Sequence, residues 1–536
     1  MGAQREIEAK LEVPPGAAMP DLAGLPGVVA VDPPQEFTLD AVYWDTPDLR
    51  LARARTTLRR RAGGTDAGWH LKLPVSADER IELTAPLGAQ DGDVPAELLA
   101  VVRVRVRESQ LEPVVELQSR RTVYRLRDAL DRVLAEVADD AVTSRAPGAG
   151  DDVVDAWREW EVELVDGDRD LLAAAVLRLK AGGGAVPAWT SKLARALGDR
   201  LVAADGGAGS ESGTEAVTEP ANEPATEPAT GPAAGGPGTV PDPRSAAAVL
   251  TEHLRAVRDL LLSRDPRVRR GQPDAVHQFR VAVGRLRNAL ATFRPLLVRT
   301  RSEAVRVELG WLAALLGAAH DADVSRERLA ALVAGEPAEL IPVSVARHLD
   351  RDRADALAVA LDQVREALDS PRYFQLLDAL DDLVDAPPFT KLAAERATRV
   401  LPLQVRHEWE QLAHAYEAAR DVPAGPNRDR LLHEAHRRAK RARHAAEALV
   451  PSVGRQAEKF AQAAKTLQTL LGHHHDYVEL RATLQRAAVQ AHLDGENVFS
   501  YGRLHALEQA RAERIENRLP AAWARVSSVR RRRWMY

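Results

Sequence analysis

Between Ala203 and Pro243 the chain is built almost wholly of Gly, Ala, Pro, Thr and Glu, with Glu-Pro recurring at Glu219, Glu223 and Glu227. A stretch this poor in apolar residues cannot offset the entropy of its own ordering, so it reads as a disordered linker. It divides the chain into residues 1–202 and 244–536, and the hydrophobic period differs on its two sides. A flexible segment of roughly 40 residues spans about 35 Å on average, so it tethers the two parts without docking them.

Before the linker the period is two. Glu6-Ile7-Glu8-Ala9-Lys10-Leu11, Leu58-Arg59-Arg60-Arg61, His70-Leu71-Lys72-Leu73, Arg80-Ile81-Glu82-Leu83 and Glu159-Trp160-Glu161-Val162-Glu163-Leu164 read as strands with one charged and one mostly apolar face. Arg103-Val104-Arg105-Val106-Arg107 alternates in the same way and reads as a further strand. Residues 170–180 and 191–202 read as helices. Alternation sets Glu6, Glu8 and Lys10 side by side on one strand face. If the sheet closes with its charged face inward, that face becomes a polar tunnel. The hard oxygen donors Glu6, Glu8, Glu161 and Glu163 would then suit Mg²⁺ or Mn²⁺. Arg59, Arg61, Lys72 and Arg80 would neutralise phosphate oxygens. The competing reading is an open sheet whose charges face water. A single alternating segment permits it; five weaken it.

After the linker the period is helical. Ala-, Leu- and Arg-rich segments are separated by Pro266, Pro295, Pro337, Pro371, Pro387-Pro388, Pro423 to Pro426 and Pro451, the pattern of an all-α bundle. The segment beginning Val276-His277-Gln278-Phe279-Arg280 returns as Leu432-His433-Glu434-Ala435-His436. Leu315 to Asp321 returns as Leu470 to Asp476. Two motifs in the same order at nearly constant separation predict a pseudo-two-fold domain, with repeats at about 245–400 and 401–530. Helical spacing puts His277, Arg280, Gly284 and Arg287 on one stripe and His433, His436, Lys440 and Arg443 on another, flanked by Arg285, Arg437 and Arg441. The formal net charge of −5 conceals the Arg-rich stretch 266–306, opposed only by Asp274 and Glu303. Such a field attracts polyanions. Consecutive His473, His474 and His475 point about 100° apart on a helix and cannot converge on one ion. The run Arg530 to Arg533 reads as a solvated tail.

Glu6-Ile7-Glu8-Ala9-Lys10 matches the Glu-x-Glu-x-Lys signature of the CYTH family, the triphosphate tunnel metalloenzymes. Tyr43 to Thr46, Leu58 to Arg61, Trp69 to Lys72, Arg80 to Glu82, Arg120-Arg121, Glu159 to Glu163 and Ser191-Lys192 follow in family order. The resemblance covers about residues 4–202. It implies an eight-stranded antiparallel tunnel and metal-dependent hydrolysis of triphosphates, or cyclisation of ATP. It also implies that Glu6, Glu8 and Lys10 are catalytic and that Glu161 and Glu163 face Glu6 and Glu8 as metal ligands. Lys10, Arg59, Arg61, Lys72, Arg80, Arg120 and Lys192 would bind the triphosphate. Adjacent strand residues face opposite ways, so Arg121 is the alternative to Arg120. The family pattern places helix or connection, not strand, at residues 103–107.

The second half resembles the CHAD domain, a conserved-histidine α-helical domain, through His277 to Arg280, Leu316 to Asp323, His433 to Arg443 and Leu467 to Asp476. This implies inorganic polyphosphate binding by His277, Arg280, Arg285, Arg287, His433, Arg437, Lys440, Arg441 and Arg443, the histidines charging near neutral pH. Gly284, His320 and His436 stand where the family shows a basic residue such as Arg. Nucleic acid is disfavoured, because the basic helices lack interleaved aromatics for base stacking.

No run reaches the length of a membrane span, and the absence of cysteine excludes disulfides, Cys-ligated zinc and a thiol nucleophile. The expectation is a cytoplasmic inorganic triphosphatase that the helical half can hold at polyphosphate granules. The alternatives are a polyphosphate-binding protein with an inactive tunnel, or an adenylate cyclase or thiamine triphosphatase of the same family.

Overall fold

The computed structural model describes residues 2–76, 78–88, 93–145, 154–206 and 242–536. They form two compact units, one on each side of the linker. Most of the linker reading, residues 207–241, lies outside the described residues. Residues 203–206 belong instead to the helix that precedes it.

The N-terminal unit holds nine strands: β1 (Gly2–Glu12), β2 (Ala30–Val31), β3 (Gln35–Asp45), β4 (Thr57–Ala62), β5 (Gly68–Pro74), β6 (Glu79–Ala85), β7 (Glu112–Arg127), β8 (Val133–Arg145) and β9 (Val154–Leu164). Neighbours pair antiparallel in the order β7-β3-β4-β5-β6-β1-β9-β8, and β8 returns to β7, closing an eight-stranded barrel; the short β2 adds to β7. The helices are α1 (Arg50–Arg53), α2 (Ala96–Val106), α3 (Arg169–Ala181), α4 (Lys192–Leu197) and α5 (Asp199–Gly206).

Two helices decide which strand face is outside. Leu11, Val137, Trp160 and Val162 on the outer face of β1, β8 and β9 pack against Leu171, Leu172, Ala175 and Leu179 of α3. Leu58, Trp69, Leu71 and Leu83 of β4, β5 and β6 pack against Leu98, Val101, Val102 and Val106 of α2. The apolar face of each alternating strand is thus covered from outside, and the charged face is left to line the barrel.

Residues 103–107 therefore lie on and just after α2, not on a strand. Leu98, Val101, Val102 and Val106 follow the i, i+3, i+4 spacing of a buried helical face, and the Val-Arg alternation is incidental to it. The expected helix 191–202 is two helices. Ser191 caps α4 by accepting from the Ala194 amide at 3.0 Å, and Gly198, at φ 48°, breaks the run. Leu193 and Leu197 of α4 pack against Ala41, Tyr43, Leu117, Val142 and Trp157, an apolar plug inside the barrel.

The C-terminal unit is all helical: α6 (Ala246–Arg269), α7 (Ala275–Thr292), α8 (Arg299–Ala334), α9 (Val343–Leu368), α10 (Pro371–Asp385), α11 (Ala397–Arg420), α12 (Pro426–Ala448), α13 (Val450–Val453), α14 (Arg455–Leu493), α15 (Phe499–Glu516), α16 (Leu519–Val526) and α17 (Val529–Arg532). The repeat is visible in the packing: α6, α7, α8 and α9 contact in sequence as α11, α12, α14 and α15 do, and α7 meets α12 across the pseudo-axis. The second set opens at Ala397 rather than near 401. Pro266 does not end α6: it forgoes one backbone hydrogen bond, and the helix runs on to Arg269. The Arg530 to Arg533 run is not a free tail. Arg532 lies over the Trp409 ring at 4.5 Å, Arg531 donates to the Lys459 carbonyl, and Met535 is buried. No helix among the described residues is long and apolar enough to cross a membrane.

Candidate functional site

The barrel encloses a cavity of about 380 Å³. Glu6, Glu8 and Lys10 of β1, Arg59 and Arg61 of β4, Lys72 of β5, Arg80 of β6, Glu161 and Glu163 of β9, and Lys192 of α4 all line it. Of the expected tunnel residues, one is misplaced. Arg120 is exposed on the outer face, and its neighbour Arg121 turns inward. The register of β7 decides this: Arg121 stands opposite Asp140 of β8, a fully buried inward carboxylate. Its guanidinium bridges Asp140 and Glu161 at 2.6 and 2.5 Å.

Most inward cations are held by carboxylates. Lys192 contacts Glu159, Glu161 and Asp140 at 2.6, 2.7 and 2.9 Å. Burial alone would lower its basicity; Asp140, Glu159 and Glu161 outweigh burial and raise it well above the ordinary lysine value. Asp140, Glu159 and Glu161 lie close enough together to share a metal ion. The Lys192 ammonium already supplies that cluster with its cation, so the cluster is a poor choice for one. Lys10 joins Glu161 at 2.7 Å and Glu8 at 3.3 Å, and Lys72 joins Glu6 at 2.7 Å.

Among the described carboxylates of this wall, Glu163 forms no ion pair, and it stands beside Glu6 and Glu8, which share theirs with Lys72 and Lys10. Glu8 stands directly opposite Glu163 across the β1–β9 ladder, an arrangement of like charges that costs free energy unless a cation joins it. Glu8 Oε1 is buried with Lys10 Nζ at 3.3 Å and Arg80 Nε at 3.6 Å, and against burial Lys10, Lys72 and Arg80 pull the Glu8 carboxyl down to about 2. Burial, with Glu6, Glu8 and Glu161 close by, pushes the Glu163 carboxyl up to about 7, against the opposing pull of Lys72. Burial likewise raises Glu6. These residues fit a hard divalent cation: the donors are all oxygen, and Glu163 among them has no ion pair. Arg59 and Arg61 of β4 lie four strands round the ring from β9, and each keeps a buried Nε without an acceptor.

Sequence reasoning missed His70, Tyr43, Glu82, Asp66 and Asp140 on the lining or next to it. Glu82 shares the inward phase of Arg80, so alternation would have found it. Asp140 sits between Ala138 and Val142, where no charge alternation signals it.

In the helical unit a cavity of about 370 Å³ lies between α7, α8 and α12. Arg280, Arg287, Arg437, Lys440 and Arg441 line it, as expected, together with Arg306 and Arg438, which the stripe pattern did not select. Among the described residues, Arg280, Arg287 and Lys440 form no ion pair. Burial, followed by Arg280, Arg443 and Arg287, pulls Lys440 down to about 8. Burial and neighbouring arginines lower Arg287 too. At Gly284 a Cβ would stand 3.4 Å from Lys440 Nζ, so the ammonium lies against the bare backbone of α7.

Four of the expected groove residues lie off this cavity. His277 packs on His320 with ring centroids 4.7 Å apart, and His433 on His475 at 3.9 Å. Arg285 and Arg443 both pair with Glu447, at 3.1 and 3.6 Å. The surroundings of the histidines disfavour their charged forms, with burial and Arg280 lowering His277. Burial first, then nearby cations and histidines, lowers His433 to about 4 and His320 and His436 to about 3. Of the three consecutive histidines only His474 is fully buried, bonded to Glu516 at 3.1 Å.

Two family models match the chain: a CYTH domain over residues 4–184 and a CHAD domain over residues 252–485. The uncharacterized protein Rv2226 of Mycobacterium tuberculosis is 36% identical over 540 residues, covering 98% of this chain and 97% of its own length. Among solved structures, PptA from Streptomyces chartreusis is similar with a TM-score of 0.44 at 24% identity, covering 52% of this chain and 99% of that one. The CHAD domain from the plant Ricinus communis is similar with a TM-score of 0.40 at 23% identity, over 52% of this chain and 91% of that one.

Proposed function

The chain belongs to the family that joins a CYTH domain to a CHAD domain, and from that premise we propose that its barrel hydrolyses triphosphates, inorganic tripolyphosphate above all, with Mg²⁺ or Mn²⁺, while its helical groove binds inorganic polyphosphate. The observation that carries the first part is Glu163, a carboxylate without an ion pair set opposite Glu8 on one wall of a tunnel whose opposite wall offers free guanidinium nitrogens. Glu6, Glu8 and Glu163 would hold the metal, which when bound would draw charge from the phosphate oxygens and favour attack by water. Arg59 and Arg61 present donors to the phosphate oxygens remote from the carboxylates. Lys10 and Lys72 fix Glu8 and Glu6 in place, so the ligand set does not reorganise when substrate enters. Lys192 and Arg121 neutralise Asp140, Glu159 and Glu161 and keep that wall from repelling an anion.

The groove reading rests on Lys440, largely withdrawn from water among Arg280, Arg443 and Arg287, with the more exposed Arg287 beside it and Arg280 only partly offset by Asp321 and Asp476. Such charges are costly alone, and a phosphate chain laid along them would remove the cost.

The test is phosphate release by the full chain from tripolyphosphate, ATP and thiamine triphosphate with Mg²⁺, Mn²⁺ or EDTA. Metal-dependent release, fastest from tripolyphosphate, is expected. No release from a folded protein that still binds polyphosphate would leave only the binding role.

A further inference from the structure

The β4–β5 connection reaches into the tunnel, and glycine makes this possible. Gly63 and Gly64 adopt φ of 79° and 72°, and a Cβ at either would collide, with the Thr38 carbonyl oxygen at 2.3 Å and with the Leu39 side chain at 2.7 Å. At Gly68 a Cβ would meet the Ala85 carbonyl oxygen at 2.9 Å. The resulting tight turn brings Asp66 to the cavity lining. His70 then ties it down: Nε2 lies 2.8 Å from the Asp66 carbonyl oxygen and Nδ1 lies 3.0 Å from Glu82 Oε1. In this position the Asp66 carboxylate accepts a hydrogen bond from Arg61 Nη1.

The pair is unequal. The Arg61 side chain is 8% exposed, that of Asp66 48%. The carboxylates on Arg121 behave differently, because Asp140 and Glu161 are buried strand residues with no route away. Burial and the neighbouring Arg59 destabilise charged Arg61, and Asp66 only partly compensates. Arg61 is thus a buried phosphate-binding donor occupied by a carboxylate on a turn.

We propose that Asp66 is an internal stand-in for phosphate: it holds Arg61 in the empty tunnel, and an end phosphate of the substrate must displace it to bind. This rests on the tunnel being the triphosphate site. It makes Asp66 a specificity-determining residue. A ligand must bring more charge to Arg61 than one carboxylate does, which favours triphosphate over the orthophosphate product and helps the product leave.

Equilibrium affinity for tripolyphosphate, measured by calorimetry in EDTA so that nothing turns over, tests this with the full chain and Asp66→Asn, Asp66→Glu, Arg61→Gln and Arg61→Gln/Asp66→Asn. All five proteins carry the Arg280, Arg287 and Lys440 reversal to Glu, which removes the groove as a second site, so that the affinities report the tunnel. Asp66→Asn should bind about tenfold more tightly, the scale of one charge-assisted hydrogen bond no longer displaced. Asp66→Glu should restore weak binding, and the gain should vanish in the Arg61→Gln background. An Asp66→Asn chain that binds no more tightly than the parent, or a gain that persists without Arg61, overturns the proposal. Turnover is not read here, so a chain that binds tripolyphosphate but never cleaves it would sink the catalytic reading while these affinities still decide the role of Asp66.

Discussion

Lys192 in the barrel and Lys440 in the bundle are both largely withdrawn from water, yet their basicity moves in opposite directions. Lys192 is surrounded by Asp140, Glu159 and Glu161 and is raised; Lys440 faces Arg280, Arg443 and Arg287 and falls to about 8. The difference teaches that burial does not set the behaviour of a cation here; its neighbours do. In the tunnel most cations are matched by carboxylates, and Glu163 is the carboxylate without an ion pair among those described on that wall. In the groove the reverse holds: Lys440 and Arg287 meet further cations rather than carboxylates.

The contrast breaks most sharply at the carboxylates. Glu6→Gln with Glu8→Gln should cut tripolyphosphate turnover by about 10³-fold or more, the scale of removing the main electrostatic stabilisation from an active site. Binding of long-chain polyphosphate, followed by a gel-shift assay, should persist. Reversing Arg280, Arg287 and Lys440 to Glu should weaken polyphosphate binding by about 100-fold or more at physiological salt, since polyanion affinity scales with the phosphates neutralised. A surviving gel shift would place the polyanion elsewhere.

Next comes the wall of the barrel. Arg121→Ala removes one member of a buried ion network and should destabilise the N-terminal domain by about 3 kcal/mol in chemical denaturation. Arg120→Ala, one residue away and exposed, should stay within about 0.5 kcal/mol. Equal effects would mean that the β7 register is wrong.

The smallest effect is a pH dependence. The basicity of Lys440 is depressed in the folded state, so its contribution to stability is full above the ordinary lysine range, 10.5, and is lost as pH falls through about 8. Below that pH the empty domain carries a buried, unmatched ammonium. A polyanion supplies the match, so polyphosphate affinity should fall several-fold between pH 7 and 9.5. Lys440→Arg should flatten the profile; an unchanged slope would remove Lys440 from the site.

Much of this was legible in the sequence because a two-residue period needs only one assumption, that the apolar face is covered. Glu6, Glu8, Lys10, Arg59, Arg61, Lys72 and Arg80 all fall on the lining for that reason. What failed were problems of register and competing period. Nothing local distinguishes Arg120 from Arg121, because the phase of β7 is set by its pairing with β8. Val-Arg alternation at residues 103–107 is compatible with both a strand and a helix, and the packing of Leu98, Val101, Val102 and Val106 on the barrel decides for the helix. In the bundle, the stripes correctly placed Arg280, Arg287 and Lys440. They could not show that Glu447 lies beside Arg285 and Arg443, or that His277 and His433 face the partner histidines of α8 and α14. Those are contacts between helices, and helical spacing carries no information about what a stripe meets.

The most direct test is a Mn²⁺ titration of the full chain, compared with Glu6→Gln/Glu8→Gln and with the Arg280, Arg287 and Lys440 reversal. The account predicts Mn²⁺ binding that the carboxylate double variant loses and the groove variant keeps. Mn²⁺ binding that survives loss of both Glu6 and Glu8 carboxylates would contradict it.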